Sequence, residues 1–477
     1  MLESLVARRH ARTVPLVVVD RAGFVRWLSR QDRTTARWLA ANAFEPSANR
    51  VALVPGEDGP SVALFARAEG GPWAWAAAAQ RLPPGRYAIE GALEPEEATD
   101  AAIGWALEAY TFDRYLTRRD GGARRELVWP AGADREEARR VLEAVGMVRD
   151  LVNTPAADLG PAELAAEARA LGRRYGARTR VVTAAALARE YPAVHAVGRG
   201  SARPPRLVDL RWGRAGDPRL TLVGKGVCFD SGGLDLKNSA GMQRMKKDMA
   251  GAAHALALAR LVMDARLPVR LRVLLPCVEN LPGPNAYRPL DVLSTRKGLT
   301  VEVSNTDAEG RLLLADALAE ADRERPDLLV DIATLTGSAR IALGTELTPF
   351  FSSDRKLADD LARHGRKARD PVWRLPLHRG YRRHLESKVA DLKNAPSIQL
   401  AGAIIAALFL REFVTETERW LHLDIFGWTD HARPGRPLGA EATGLRALWA
   451  LVKERYPTKA RGRPRPRASS DRGKGRR

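Results

Sequence analysis

Cysteine is nearly absent from this 477-residue chain, which holds only Cys228 and Cys277. Two thiols cannot build the disulfide framework of a small secreted domain, and a reducing, cytoplasmic setting fits. Both lie in apolar stretches and read as core residues. Histidine is scattered, eight residues in all, with no HExxH and no CxxC to suggest a zinc site of the usual kinds. His254 falls inside a helical pattern and reads as packed rather than ligating. No apolar run approaches the roughly 18 to 20 residues needed to span a bilayer. AGAIIAALFL, among the longest, stops at Arg411. The N-terminus lacks the basic, apolar, small-residue order of a signal peptide. GKG at 224–226 is not the GxxxxGK[ST] of a phosphate loop. FDSGG lacks the glycine two residues before Ser231 that a nucleophile elbow wants.

The length favours two domains over one core. Net charge is +20, and the segment from Pro457 to Arg477 carries +8 of it, nine Lys/Arg against one Asp. That tail has no apolar side chain larger than alanine, so residues 457–477 are expected to be a basic, disordered extension. The remaining charge is spread through an Arg-rich chain and identifies no partner.

Strand and helix patterns alternate throughout. VPLVVVD, RVALVPG and SVALFARA read as strands; RTTARWLAANAF and ATDAAIGWALEAYTFDRYL read as helices. They imply a smaller N-terminal α/β domain over 1–145. REEARRVLEAVGMVRDLVNT is a bridging helix that stops at Pro155. Beyond it, RLTLVGKGVCFD, PVRLRVLLPCVEN, DLLVDIATLTG and RWLHLDIFGW read as strands. GAAHALALARLVMDA, GRLLLADALAEADRE and AGAIIAALFLREFV read as helices. Apolar strands between helices predict a larger α/β/α domain over 146–456, its central mixed sheet covered on both faces. Ligands of such sheets bind beyond the carboxyl ends of strands.

The charged residues gather in loops at those positions. GKGVCFDSGGLDLK holds Lys225, Asp230 and Lys237, MKKDMAGAA holds Asp248, and NTDAEGRL holds Asp307, Glu309 and Arg311. In the last stretch the charges alternate and would share a face if the backbone were extended. The plainer reading makes Thr306 or Asp307 a helix cap with Glu309 in the first turn. Carboxylates gathered at one pocket repel unless a cation separates them. Asp/Glu oxygens suit Mg²⁺, Mn²⁺ or Zn²⁺, and two ions about 3.5 to 4 Å apart would need about this many carboxylates.

These segments, in this order and spacing, resemble the signature of the leucyl aminopeptidase family, the two-metal cytosolic aminopeptidases of peptidase family M17. Further matches are LVNTPAADLGP, PCVENLPGPNAYRPLDV, DIATLTG, ADLKN and HLDIFG, and the resemblance covers roughly 150 to 452. It implies an aminopeptidase that releases N-terminal residues from peptides by attack of a metal-bridging water. It implies two divalent ions, Mn²⁺ or Zn²⁺, held by Lys225, Asp230, Asp248, Asp307 and Glu309. Lys225 would ligate as the neutral amine. Asp230 and Glu309 would bridge the ions, and Asp248 would also meet the substrate's free amine. Lys237 is implied as the group that polarises the scissile carbonyl and stabilises the oxyanion, and Arg311 as the holder of a bicarbonate base. Substrate contacts carried over are Lys237, Asp248, Met245, Asn305, Ala308, Thr334, Leu335, Gly337 and Phe426. A cytoplasmic homo-hexamer is implied as well. Three positions depart from the family pattern: Asn238 where proline is usual, Phe426 and Trp428 where small residues flank the first side-chain pocket, and Ile405 in place of a threonine. They put the preferred N-terminal residue in doubt. The tail's RGRP, Arg461 to Pro464, resembles the core of an AT-hook, so nucleic-acid contact through 457–477 is a second expectation. A protein that binds mainly nucleic acid, with residual or lost peptidase activity, is the alternative to the enzyme.

Overall fold

Six strands at the start of the chain make one sheet, in the order Leu5–Val6, Arg125–Val128, Gly85–Glu90, Val14–Val19, Gly59–Ala66 and Arg50–Gly56. Neighbours run parallel except the last two, an antiparallel hairpin. Helices Pro72–Arg81 and Pro95–Glu108 bury Trp75 and Trp105 against this sheet. The helix expected to reach residue 116 ends at Glu108. Just beyond it, Tyr110 is buried, its hydroxyl donating to Asp150 at 2.8 Å. The bridging helix, Arg135–Asn153, begins where the Asp134 carboxylate accepts from the Glu137 amide and ends before Pro155, which cannot continue it. The computed structural model describes residues 1–47, 49–67, 70–117, 124–396 and 398–458. The basic tail from 459 onward, RGRP included, lies outside the described residues.

The larger sheet is built around four parallel strands, Trp420–Asp424, Leu328–Ala333, Arg219–Gly224 and Arg270–Asn280, in that spatial order. Antiparallel neighbours, Thr348–Phe351 and Arg206–Trp212, flank them and make the sheet mixed. Side chains alternate between two cores. Leu220, Leu222, Val330 and Ile332 join helix Ala250–Asp264; Val223, Leu329 and Ala333 join helix Glu309–Asp322. Both faces are covered, which is why these strands carry unbroken apolar runs. Their carboxyl ends meet along one edge.

At that edge the strands are shorter than their apolar patterns. The segment read as a single strand over 219–230 is two, Arg219–Gly224 and Gly226–Asp230, with Lys225 between them. The glycines flanking Lys225 allow the close approach of neighbouring backbone. A Cβ on Gly224 would lie 2.6 Å from the Ala252 Cα, and one on Gly226 2.6 Å from the Pro276 carbonyl oxygen. DIATLTG and HLDIFGW likewise leave the sheet at Ala333 and Asp424. Cys228 and Cys277 are buried on neighbouring strands, and buried His254 contacts the Ala250 carbonyl at 2.7 Å through Nδ1. No helix among the described residues is long and apolar enough to cross a membrane.

Candidate active site

Six of the seven charged loop residues, Arg311 being the exception, line one cleft of about 650 Å³ at the carboxyl edge of the larger sheet. Lys225 enters it from the break between two strands, and Asp230 ends the second of them. Asp248 sits on the single turn Met245–Met249 that leads into helix Ala250–Asp264. Asp307 and Glu309 stand on either side of Ala308, the N-cap of helix Glu309–Asp322. The helix therefore starts at Glu309, three residues before the apolar run. Neither Thr306 nor Asp307 caps it, and Glu309 and Arg311 lie on a helix rather than an extended strand. Glu309 in the first turn is favourably placed by the helix dipole. Thr306 ties two loops instead: its hydroxyl donates to the Gly232 carbonyl at 2.6 Å and accepts from the Asp235 amide at 2.8 Å. Gly232, at φ +90°, could not carry a side chain, since a Cβ would lie 2.4 Å from the Asp235 carbonyl oxygen.

Lysines and carboxylates interleave in the cleft. Lys225 Nζ lies 2.8 Å from both Asp248 Oδ2 and Glu309 Oε1, and donates to the Thr334 carbonyl at 2.9 Å. Lys237 Nζ lies 2.8 Å from Asp230 Oδ2 and also pairs with Asp307 Oδ1. Asp230 Oδ1 accepts from the Gly232 amide at 2.9 Å and from Asn280 Nδ2 at 2.8 Å. The Thr334 hydroxyl donates to Asp248 Oδ1 at 2.6 Å. Burial opposes the charge on Lys225, but Asp248, Glu309 and Asp230 outweigh it and hold the ammonium above the usual lysine range. Lys237 is likewise held protonated against burial by Asp230, Glu309 and Asp307. The carboxylates still crowd one another. Burial, then the charge of Asp230, pushes Glu309 up to about 8 and Asp307 up to about 6. Burial works against the charge of Asp248, and Lys225 prevails to hold that carboxyl below its ordinary value.

Asp230, Asp307 and Glu309 each present an oxygen within 4.8 Å of the other two. Glu309 Oε2 is buried and has no hydrogen-bond partner. Lysine pairing thus leaves the cluster with an unsatisfied buried oxygen and elevated carboxyl groups, which divalent cations would relieve. The donors, carboxylate oxygens with one amine, fit Mn²⁺ or Zn²⁺.

The expected substrate residues divide. Met245, Thr334, Leu335, Gly337 and Phe426 line the cleft with Lys237 and Asp248; Asn305 and Ala308 do not. The Asn305 side chain accepts from the Asp307 amide at 2.7 Å, so its role in the structure is to shape the loop. Of the three departures, Asn238 accepts from the Gly241 amide at 2.7 Å and caps the short helix Ser239–Met242. Phe426 projects into the cleft, whereas Trp428 does not line it and lies beside Lys246, 5.8 Å from Nζ to the ring centroid. Ile405 is fully buried in the core. Arg311 sits behind the cluster, 7 % exposed, with one amino group donating to the Asn394 carbonyl and its Nε unpartnered. Burial lowers its pKa to about 10.

Two asparagines escaped the sequence reading. Asn394 is fully buried; its Oδ1 accepts from the Ser304 and Asn305 amides at 2.7 and 3.2 Å, and its Nδ2 donates to the Asn305 carbonyl at 2.6 Å. It clamps the loop that presents Asp307 and Glu309. Asn280 does the same for Asp230 and also donates to the Thr306 carbonyl at 3.1 Å. Their signal was the ADLKN and PCVEN segments, which match the family pattern without showing what their asparagines do.

Known proteins are similar to this chain in sequence and fold. The catalytic domain of the cytosol aminopeptidase family matches residues 146–449, and the M17 aminopeptidase N-terminal domain matches 14–130. The chain is 41% identical over 377 residues to a probable cytosol aminopeptidase of Geobacter sp. (strain M21), covering 76% of each protein. It is 43% identical over 379 residues to one from Nitratidesulfovibrio vulgaris, covering 76% of this chain and 75% of that protein. Among solved structures, the cytosol aminopeptidase of Coxiella burnetii superposes with a TM-score of 0.90 at 42% identity, over 95% of this chain and all 100% of that one. The bottromycin maturation enzyme BotP, solved in complex with Mn, gives a TM-score of 0.82 at 33% identity, over 94% and 100%. The fold, the interleaved cluster and these matches agree: the chain belongs to the cytosol aminopeptidase family, peptidase family M17, and is a metallo-exopeptidase.

Proposed function

We propose that the cleft removes the first residue of a peptide using two divalent ions, Mn²⁺ or Zn²⁺, held by Lys225, Asp230, Asp248, Asp307 and Glu309. The observation that carries this reading is the trio Asp230, Asp307 and Glu309, with oxygens within 4.8 Å of one another in the cleft. When bound, the ions would neutralise the cluster, acidify water toward a pKa of about 7 and polarise the scissile carbonyl. The chain's own groups do the rest. Lys225 gives up its proton to serve as a ligand. Asp248, anchored by Thr334, accepts from the substrate's free amine and so selects the chain end. Lys237, kept protonated by its carboxylate neighbours, donates to the carbonyl oxygen as negative charge develops there. Arg311, with a buried unpartnered Nε, would be the residue to hold a bicarbonate, which would supply a general base beside the cluster. Peptides in the cytoplasm as substrates and a homo-hexamer as the working assembly belong to the same reading.

The test is hydrolysis of a panel of amino-acid amides and dipeptides after metal stripping, with Mn²⁺, Zn²⁺ or Mg²⁺ added back. Stripping should abolish turnover and Mn²⁺ or Zn²⁺ should restore it; turnover that survives stripping would contradict the reading. Phe426→Ala is expected to improve bulky first residues relative to alanine, by the roughly 1 to 3 kcal/mol available to a pocket of altered size. Unchanged ratios across Ala, Leu and Phe amides would place Phe426 outside the specificity pocket. Asn394→Ala should weaken Mn²⁺ binding by about 10-fold or more, because it frees the loop carrying two ligands. Calorimetric titration reads this directly, and an unchanged affinity would reduce Asn394 to a residue of the fold alone.

A further inference from the structure

Two cations in the cleft play no part in this chemistry. Lys247 precedes Asp248 and is 5 % exposed; its Nζ lies 4.7 Å from the centroid of the Phe426 ring. Arg340, on helix Gly337–Leu343, brings its guanidinium carbon to 5.0 Å from the same centroid. Both line the cleft that holds the carboxylate cluster. The other cleft cations are each paired: Lys225 with Asp248 and Glu309, Lys237 with Asp230 and Asp307, and Arg244 with Asp430 at 2.9 Å. Among the described residues, neither Lys247 nor Arg340 has a carboxylate within ion-pair distance. Two like charges drawn to one aromatic ring repel, and the ring satisfies only part of what the buried Lys247 lost on leaving water. An anion beside both would complete the arrangement, and a guanidinium presents the fork that a carboxylate fits.

We propose that Lys247 and Arg340, positioned around Phe426, form a pocket for a carboxylate side chain on the first residue of the substrate, so that the enzyme prefers peptides beginning with Asp or Glu. The pocket opens on the same cleft as Asp248, the residue after Lys247. This rests on the aminopeptidase reading above. A peptide's C-terminal carboxylate has the same chemistry, and substrates that carry only one of the two groups tell them apart.

The experiment measures kcat/KM of the metal-loaded full chain on Glu-amide, Gln-amide, Leu-amide and Leu-Gly. Glu-amide has the side-chain carboxylate and no terminal one; Gln-amide is its neutral isostere. Wild type should favour Glu-amide over Gln-amide by about tenfold or more, as expected when a site built for a charged partner meets one lacking it. Arg340→Met and Lys247→Met should each cut that ratio several-fold, chiefly through KM. Arg340→Glu should turn the preference toward Lys-amide. Arg340 is exposed and does not pack in the core, so its variants report on the site even if Lys247→Met perturbs the fold. A wild-type ratio near one, or a ratio that survives Arg340→Met, overturns the proposal. So does a preference for Leu-Gly over Leu-amide that vanishes in Arg340→Met, because it assigns the pair to the terminal carboxylate. If Leu-amide is cleaved and only the acidic preference is missing, the aminopeptidase reading stands without this pocket. If no amide is cleaved, both fall.

Discussion

Glu309→Ala is expected to lose at least one divalent ion and to lower kcat/KM on a dipeptide by more than the about 10- to 100-fold seen when an outer-shell partner is removed. Glu309 is the most exposed to this argument because its environment is so costly without a cation. It is buried, one of its oxygens has no hydrogen-bond partner, and burial with the neighbouring Asp230 pushes its carboxyl up to about 8. A divalent ion reverses that balance by favouring the ionised form. Ligands must shed their protons to bind, the proposed ligand Lys225 among them, so metal affinity should rise with pH rather than fall. Glu309→Gln keeps the shape of the site but not the charge and should behave like the alanine variant. Element analysis of the purified protein, alongside dipeptide hydrolysis, checks both points. A Glu309→Ala protein with full activity and two bound ions would end the two-metal assignment.

Lys237→Ala should lower kcat by ~10²-fold or more, the scale of losing one preorganised donor to a developing oxyanion. Metal content should not change, because the role proposed for Lys237 is that of a protonated donor and not of a ligand. The structure gives the reason for that protonation. The ammonium is paired with Asp230 and Asp307, whose charges outweigh the cost of its partial burial. Loss of metal in the variant would mean that Lys237 holds the cluster together and would remove its catalytic role. A fall in kcat with KM little changed is the signature expected of a contact made mainly in the transition state.

The sequence was most legible where physical constraint is densest. Apolar runs between helical patterns announced a sheet covered on both faces, and Leu220, Leu222, Val330 and Ile332 face one core while Val223, Leu329 and Ala333 face the other. Charged residues interrupting such runs marked the edge that carries the cleft, since an unpaired charge has no place in an apolar run. Element ends were harder. Lys225 breaks a strand whose residues all favour extension, and the break follows from the close approach of neighbouring backbone to Gly224 and Gly226. Glu309 opens a helix without a side-chain cap from Thr306 or Asp307, because Thr306 is committed to Gly232 and Asp235 of a neighbouring loop. Asn280 and Asn394 work by orienting other residues, so nothing in their own chemistry distinguishes them from surface asparagines until the loops they hold are seen. Asn305 and Ala308 fall on the cleft segment in sequence yet do not line the cleft, the Asn305 side chain bonding the Asp307 amide instead.

The central claim, a carboxylate cluster that works by binding two ions, is tested most directly by titrating the metal-stripped full chain with Mn²⁺ while following hydrolysis of Leu-amide in the same samples. Two ions per chain should bind, turnover should appear with them, and a chelator should take it away. Turnover in protein shown to hold no metal, or saturation at two ions with no turnover on any amide or dipeptide, would contradict the account.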